Sequence, residues 1–237
     1  MAAPAKDFRE EEHPVNVDAG PVSLEGTLAV PSGAKGVVLF AHGSGSSRRS
    51  PRNRYVAGEL YGAGLGTLLM DLLTSDEEAV DMFTGRLRFN IELLAARLAG
   101  ATDWLAEYHE TRGLIVGYFG ASTGAAAALV AATQKQERIG AIVSRGGRPD
   151  LAGTVLDQVG APTLLIVGGE DTVVIGLNEE ARAKMTATCE MRIVPGATHL
   201  FEEPGALEEV ARLAAAWFAR YLGTADIQPR AADRSAG

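Results

Sequence analysis

Hydrophobic residues fall along this chain in short solid runs separated by stretches of mixed periodicity. GVVLFA at 36–41, LGTLLMD at 65–71, LIV at 114–116, AIVS at 141–144 and PTLLIV at 162–167 are apolar on nearly every position. A strand that alternates nowhere is buried on both faces, so these runs predict the centre of a parallel sheet. CEMRIV at 189–194 reads as the last strand. Between the runs, apolar residues recur at helical spacing: 54–63, 178–185, Ile91, Leu94, Leu98 and Leu105 within 89–108, and Val210, Leu213, Ala214 and Trp217 within 207–222. Ahead of them, 15–17 and 22–30 alternate and turn at Ala19-Gly20-Pro21, the pattern of an antiparallel hairpin. The polar stretch 72–88 reads as an irregular loop leaving a strand end, 1–13 as a flexible leader and 223–237 as a flexible tail.

Strands alternating with helices predict one α/β domain over 14–222, with a mostly parallel central sheet covered by helices on both faces. No repeat, linker or change of composition divides the chain in the middle, and no insertion is long enough to build a lid domain.

Composition narrows the function classes. A length of 237 residues with 46% hydrophobic content suits a domain with a real core. The net charge of -8 argues against a nucleic-acid surface, which needs a clustered basic face. The first residues, MAAPAKDFREEEHP, lack the apolar core of a secretory signal, and no run approaches the length of a membrane span. One cysteine, Cys189, excludes an internal disulfide and fits a reducing compartment, so a cytoplasmic location is expected. Four scattered histidines supply no close-spaced metal set, and neither a metal nor another cofactor is expected.

The candidate chemistry begins at Gly113–Ala132. There the run Leu114-Ile115-Val116 leads into Gly120-Ala121-Ser122-Thr123-Gly124 and then into an Ala-rich segment of helical length. G-x-S-x-G between a strand and a helix is the pattern of a nucleophile elbow. A serine at the apex of a tight turn needs neighbours with little side chain, and Gly120, Ala121 and Gly124 meet that need. In a parallel sheet, ligands bind at the carboxyl ends of the strands, so the residues following each strand are the next to inspect. Asp171 follows PTLLIV and His199 follows the last strand. In the order Ser122, Asp171, His199, the serine is the nucleophile, the histidine its general base, and the aspartate fixes the imidazole tautomer. Glu170, adjacent to Asp171, is an alternative acid. An oxyanion formed on the acyl group needs two N–H donors: Thr123 at the helix start, and Ser44, or failing that Gly43, from the bare loop His42-Gly43-Ser44-Gly45. His42 is read as the residue that orients this loop. Arg86, Arg88 and Arg145, with Arg48 and Arg49, are placed to border the mouth and bind a substrate carboxylate; solvated surface charge is the other reading.

With these residues in place, the chain resembles the α/β-hydrolase superfamily, and within it the dienelactone-hydrolase-like group of small, lidless esterases. The resemblance rests on HGSGSS at 42–47, GASTG at 120–124, GGEDTVV at 168–174 and GATH at 196–199, and spans most of 22–222. RLRFNIELLAARLAGATDWL at 86–105 resembles members that occur alone or fused to a phosphoribosyltransferase-like domain. Dienelactone hydrolases proper carry cysteine at the elbow. Ser122 therefore implies a serine carboxylesterase acting on small or short-acyl esters, with lactones and thioesters as extensions. The expected partner is a small-molecule ester, with no nucleic acid and no membrane, for a monomer or homodimer. An acyltransferase or perhydrolase would use the same triad, and a non-catalytic binding protein could share the fold.

Overall fold

The computed structural model describes residues 8–223. Most of the expected leader lies outside them, as does the expected tail beyond Gly223. The short helix α1 (Phe8–Glu11) precedes the hairpin β1 (His13–Asp18) and β2 (Ser23–Ala29). Then come β3 (Val37–Ala41), α2 (Pro51–Gly62), β4 (Gly66–Met70), α3 (Ser75–Thr84), α4 (Ile91–Glu107), β5 (Val116–Ala121) and α5 (Thr123–Gln134). They are followed by β6 (Ile139–Arg145), a 3₁₀ segment over Pro149–Gln158, β7 (Thr163–Gly168), α6 (Thr172–Lys184), β8 (Cys189–Val194) and α7 (Ala206–Leu222).

The eight strands form one sheet in the order β1-β2-β4-β3-β5-β6-β7-β8. β2 pairs antiparallel with β1 and β4, and every other pairing is parallel. β3, β4, β5 and β7 are buried at every position, as the apolar runs predict for β3, β4 and β7; β5 starts only at the last residue of the LIV run and continues through VGYFGA. Each strand therefore feeds two cores. On one face Leu39, Leu68 and Tyr118 pack with Leu94 and Leu98 of α4 and the alanines of α5. On the other, Phe40, Leu69 and Phe119 pack with Val56 and Leu60 of α2 and Val210, Trp217 and Phe218 of α7. Tyr118 is fully buried, and its hydroxyl shares a 2.6 Å hydrogen bond with Thr102 of α4. Among the described residues there is no lid domain, and no helix is long and apolar enough to cross a membrane.

Several elements differ from expectation. Residues 8–13, read as part of a flexible leader, hold α1 and the first residue of β1, and the strand read at 114–116 runs over Val116–Ala121. The stretch 72–88 contains α3. Thr74 caps it with its hydroxyl on the Glu77 N–H while the Glu77 carboxylate accepts the Thr74 N–H, and Asp76, Glu77 and Glu78 favour the positive end of the helix. α6 begins at Thr172, earlier than the predicted 178: burial of Val174 in its first turn outweighs the low helix propensity of the β-branched Val173, Val174 and Ile175.

Candidate active site

The carboxyl ends of β3, β5, β6, β7 and the segment after β8 meet above the middle of the sheet, where the order of strand connections reverses. Ser122 stands between β5 and α5 with φ 51° and ψ −121°. L-residues rarely adopt this conformation, which turns the chain sharply from strand to helix. The crowding is severe. A Cβ on Gly120 would lie 2.4 Å from Cα of Ala125, and one on Gly124 would lie 2.2 Å from the carbonyl oxygen of Ala41. Glycine at both positions lets α5 seat against β3 and β5. The Ser122 N–H donates to the carbonyl of Arg145 at 3.3 Å, and its own carbonyl accepts the Arg148 N–H at 3.1 Å, so the end of β6 braces the elbow.

His199 lies in the turn after β8 and is partly exposed; Asp171 lies at the end of β7. Nδ1 of His199 and Oδ2 of Asp171 are 2.7 Å apart. The carboxylate can only accept, so Nδ1 carries the proton and Nε2 is left as the basic nitrogen. Asp171 occupies the N-cap of α6 yet makes no capping hydrogen bond, its carboxylate being given to His199 instead. Glu170 is exposed. Gly146 sits beside the imidazole: a Cβ there would lie 3.5 Å from Cε1 of His199 and 3.1 Å from its carbonyl oxygen. Phe201, buried and at φ 55°, anchors the far side of the histidine turn.

The loop after β3 approaches the elbow closely, with Ser122 Cβ 3.1 Å from where a Gly43 Cβ would be. His42 holds it. Nε2 accepts the Leu72 N–H at 3.2 Å, which leaves Nδ1 to donate to the Gly43 carbonyl at 3.0 Å. Burial lowers the His42 pKa from its usual value, with partial opposition from that carbonyl and from Asp71 and Glu78. Thr123 N–H heads α5, where first-turn amides have no intrahelical acceptor. The Ser44 N–H donates to Oγ1 of Thr123 at 3.0 Å, a hydroxyl the sequence reading did not single out, so the amide expected as the second oxyanion donor is engaged and Gly43, the other loop residue named, is left for that role.

A cavity of about 230 Å³ opens beside this loop, lined among others by His42, Ser44, Leu72, Met82, Arg88 and Thr123. Arg88 is tied to Asp81 of α3, its Nε donating to Oδ2 at 2.5 Å and Nη2 to the carbonyl at 2.8 Å. Arg86 is exposed, and Arg48 pairs with Asp71 and Glu25. Arg145 is buried on the α2 side of the sheet. Of the five arginines considered, Arg88 alone is among the cavity-lining residues. Cys189 is half-buried, and burial pushes its thiol up to about 11. A thiol that is protonated at neutral pH is a poor nucleophile.

Comparison with known proteins adds the following. Residues 24–223 match the model of the Dienelactone hydrolase family. The crystal structure of a dienelactone hydrolase from Anabaena variabilis is 60% identical in sequence, with a TM-score of 0.87 over 89% of this chain and 97% of that one. Est1E from Butyrivibrio proteoclasticus has a TM-score of 0.72 over 87% of this chain and 98% of its own, at 15% identity, a likeness of fold alone. Two Mycobacterium tuberculosis proteins that carry the provisional name of phosphoribosyl transferase are 58% identical over 221 residues, or 93% of this chain and 48% of theirs. The chain thus spans about half the length of the curated relatives it matches.

Proposed function

This chain belongs to the dienelactone hydrolase family, and from that premise we propose that it is a serine hydrolase cleaving small or short-acyl carboxylic esters through an acyl-Ser122 intermediate. The observation that carries the proposal is the 2.7 Å Asp171–His199 pair at the same sheet edge as a serine held at a strained strand-to-helix turn. In the reaction, Nε2 of His199 takes the Ser122 proton as Oγ attacks the ester carbonyl, and Asp171 stabilises the imidazolium that forms. The negative charge on the carbonyl oxygen falls to the Thr123 N–H and the loop amide at Gly43, the Ser44 N–H being given to Oγ1 of Thr123. His199 then protonates the departing alcohol, and water admitted by the same base releases the acid.

The cavity supports the short-acyl reading. At about 230 Å³ it is below the usual size of a drug-sized pocket, and Leu72, Met82 and Leu94 make part of its wall apolar. The phosphoribosyl transferase name belongs to proteins about twice as long; for the portion shared with this chain we infer hydrolase chemistry. The half-buried lone Cys189 suits a reducing compartment, and we place the enzyme in the cytoplasm.

The test is hydrolysis of p-nitrophenyl acetate, butyrate and octanoate by the wild type and by Ser122→Ala. The expected result is turnover that favours acetate and butyrate and falls by at least about 10³-fold in the variant. A variant as active as the wild type, or a wild type inactive on all three, would overturn the proposal.

A further inference from the structure

The wall of the cavity beside the elbow carries one charge that nothing in the fold offsets. Besides His42, four ionisable side chains line this space of about 230 Å³: Asp71, Glu78, Asp81 and Arg88. Arg88 and Asp81 neutralise each other, Nε donating to Oδ2 at 2.5 Å while Oδ1 accepts the Leu87 N–H at 2.6 Å. Asp71 is occupied as well: Oδ1 accepts the Arg48 N–H at 2.7 Å, and Oδ2 pairs with the Arg48 guanidinium. His42 accepts the Leu72 N–H through Nε2 and is therefore neutral there.

Glu78 differs from these. α3 presents Glu78, Asp81 and Met82 at helical spacing on one face, and all three line the cavity. Among the described residues no hydrogen bond or ion pair holds the Glu78 carboxylate. It is near enough to the His42 ring to oppose the lowering of that group's pKa by burial, so its charge reaches the loop that His42 holds. Glu78 is itself exposed, and water stabilises its charge while the cavity is empty. Leu72, Leu73 and Leu94 make the neighbouring wall apolar. The arginines expected to bind a substrate carboxylate are engaged by Asp71 and Asp81 or lie outside this wall.

We propose, resting on the hydrolase reading above, that the preferred substrates are esters with an ammonium group on a short acyl chain, and that Glu78 is the residue that selects them. Gly43 and Thr123, whose amides would hold the oxyanion, line the same cavity, so an acyl chain leaving that carbonyl runs along the wall toward α3. Its methylenes pack on Leu72, Met82 and Leu94, and its cation meets the unpaired carboxylate. An ammonium group places apolar carbon directly beside its charge, which suits a wall that is apolar but for Glu78. A carboxylate in the same place would meet a like charge and be rejected. Glu78 takes no proton in the reaction. Its effect is on which ester binds, and it has the size of a partly solvated ion pair.

The test compares the p-nitrophenyl ester of γ-butyrobetaine with its uncharged isostere, in which a tert-butyl group replaces trimethylammonium. For the wild type, kcat/KM is expected to favour the cation by at least about 5-fold, chiefly through KM. In Glu78→Gln the ratio should fall below about 2-fold. Asp76→Asn removes the same charge from the first turn of α3, at a residue that does not line the cavity, and should leave the ratio as in the wild type. Titration calorimetry with the corresponding amides, which are not turned over, should give the same order of dissociation constants. If neither ester is hydrolysed, the hydrolase reading falls and the amide pair alone decides this proposal. A wild-type ratio near one, a ratio unchanged in Glu78→Gln, or an equal fall in Asp76→Asn overturns it.

Discussion

Replacing Asp171 by Asn tests the triad where two neighbouring acids compete for the role. The carboxylate is 2.7 Å from Nδ1 of His199, and during attack the imidazole becomes a cation facing it. At an effective dielectric near 20, charges about 4 Å apart interact by about 4 kcal/mol, which corresponds to roughly 10³ in rate. An asparagine can also turn its NH₂ toward Nδ1 and hold the proton on Nε2, the wrong tautomer, which in serine-protease triads brings the loss to about 10⁴. The expected fall in kcat for Asp171→Asn is therefore about 10³–10⁴-fold, with KM little changed. The fold should survive intact. Asp171 gives no capping hydrogen bond to lose, and asparagine is as good an N-cap as aspartate, so Tm should stay within about 2 °C. Steady-state hydrolysis of p-nitrophenyl acetate with parallel thermal unfolding reads both quantities. Glu170→Gln, altering an exposed acid, should leave both unchanged. An Asp171→Asn enzyme with more than about a tenth of wild-type kcat, or a Glu170→Gln enzyme that loses activity instead, would refute the reasoning.

Three other outcomes follow from the packing. Gly124→Ala places a Cβ 2.2 Å from the Ala41 carbonyl and 2.5 Å from that of His42, both backbone, and should destabilise by about 3 kcal/mol in urea unfolding while abolishing turnover. Tyr118→Phe removes a buried hydroxyl from Thr102, which still donates to the Leu98 carbonyl, and should cost about 1 kcal/mol by the same assay. The depressed His42 pKa adds stability in full above the unfolded value of about 6.5, and this is lost as pH falls from there through the folded value. Unfolding scans between pH 8 and 5 should therefore show a decline that His42→Asn lacks; identical pH profiles would count against it.

The fold was legible where burial leaves a local mark. VVLFA and LLIV, the centre of β7, are apolar throughout because helices cover both sides of those strands, whereas a strand with one wet face would alternate. The placement of Ser122, Asp171 and His199 at one edge of the sheet was legible for a related reason: each follows the carboxyl end of a parallel strand. α3 was missed because its residues are mostly polar, although Thr74 and Glu77 carried the capping-box signal. The Ser44–Thr123 bond and the burial of Arg145 left no trace. Both join residues far apart in the chain, 79 positions in one case and 92 between Arg145 and Asn53 in the other, and no periodicity reports such meetings.

The conformation of Ser122 has a bearing on how this protein could be engineered. At φ 51° and ψ −121° its backbone lies where glycine rests without penalty and a side chain costs about 1–3 kcal/mol. A Ser122→Gly chain would shed that strain together with the proposed nucleophile. Directed evolution scored only on heat resistance or expression yield would therefore enrich dead molecules, and at this position robustness and turnover must be selected together.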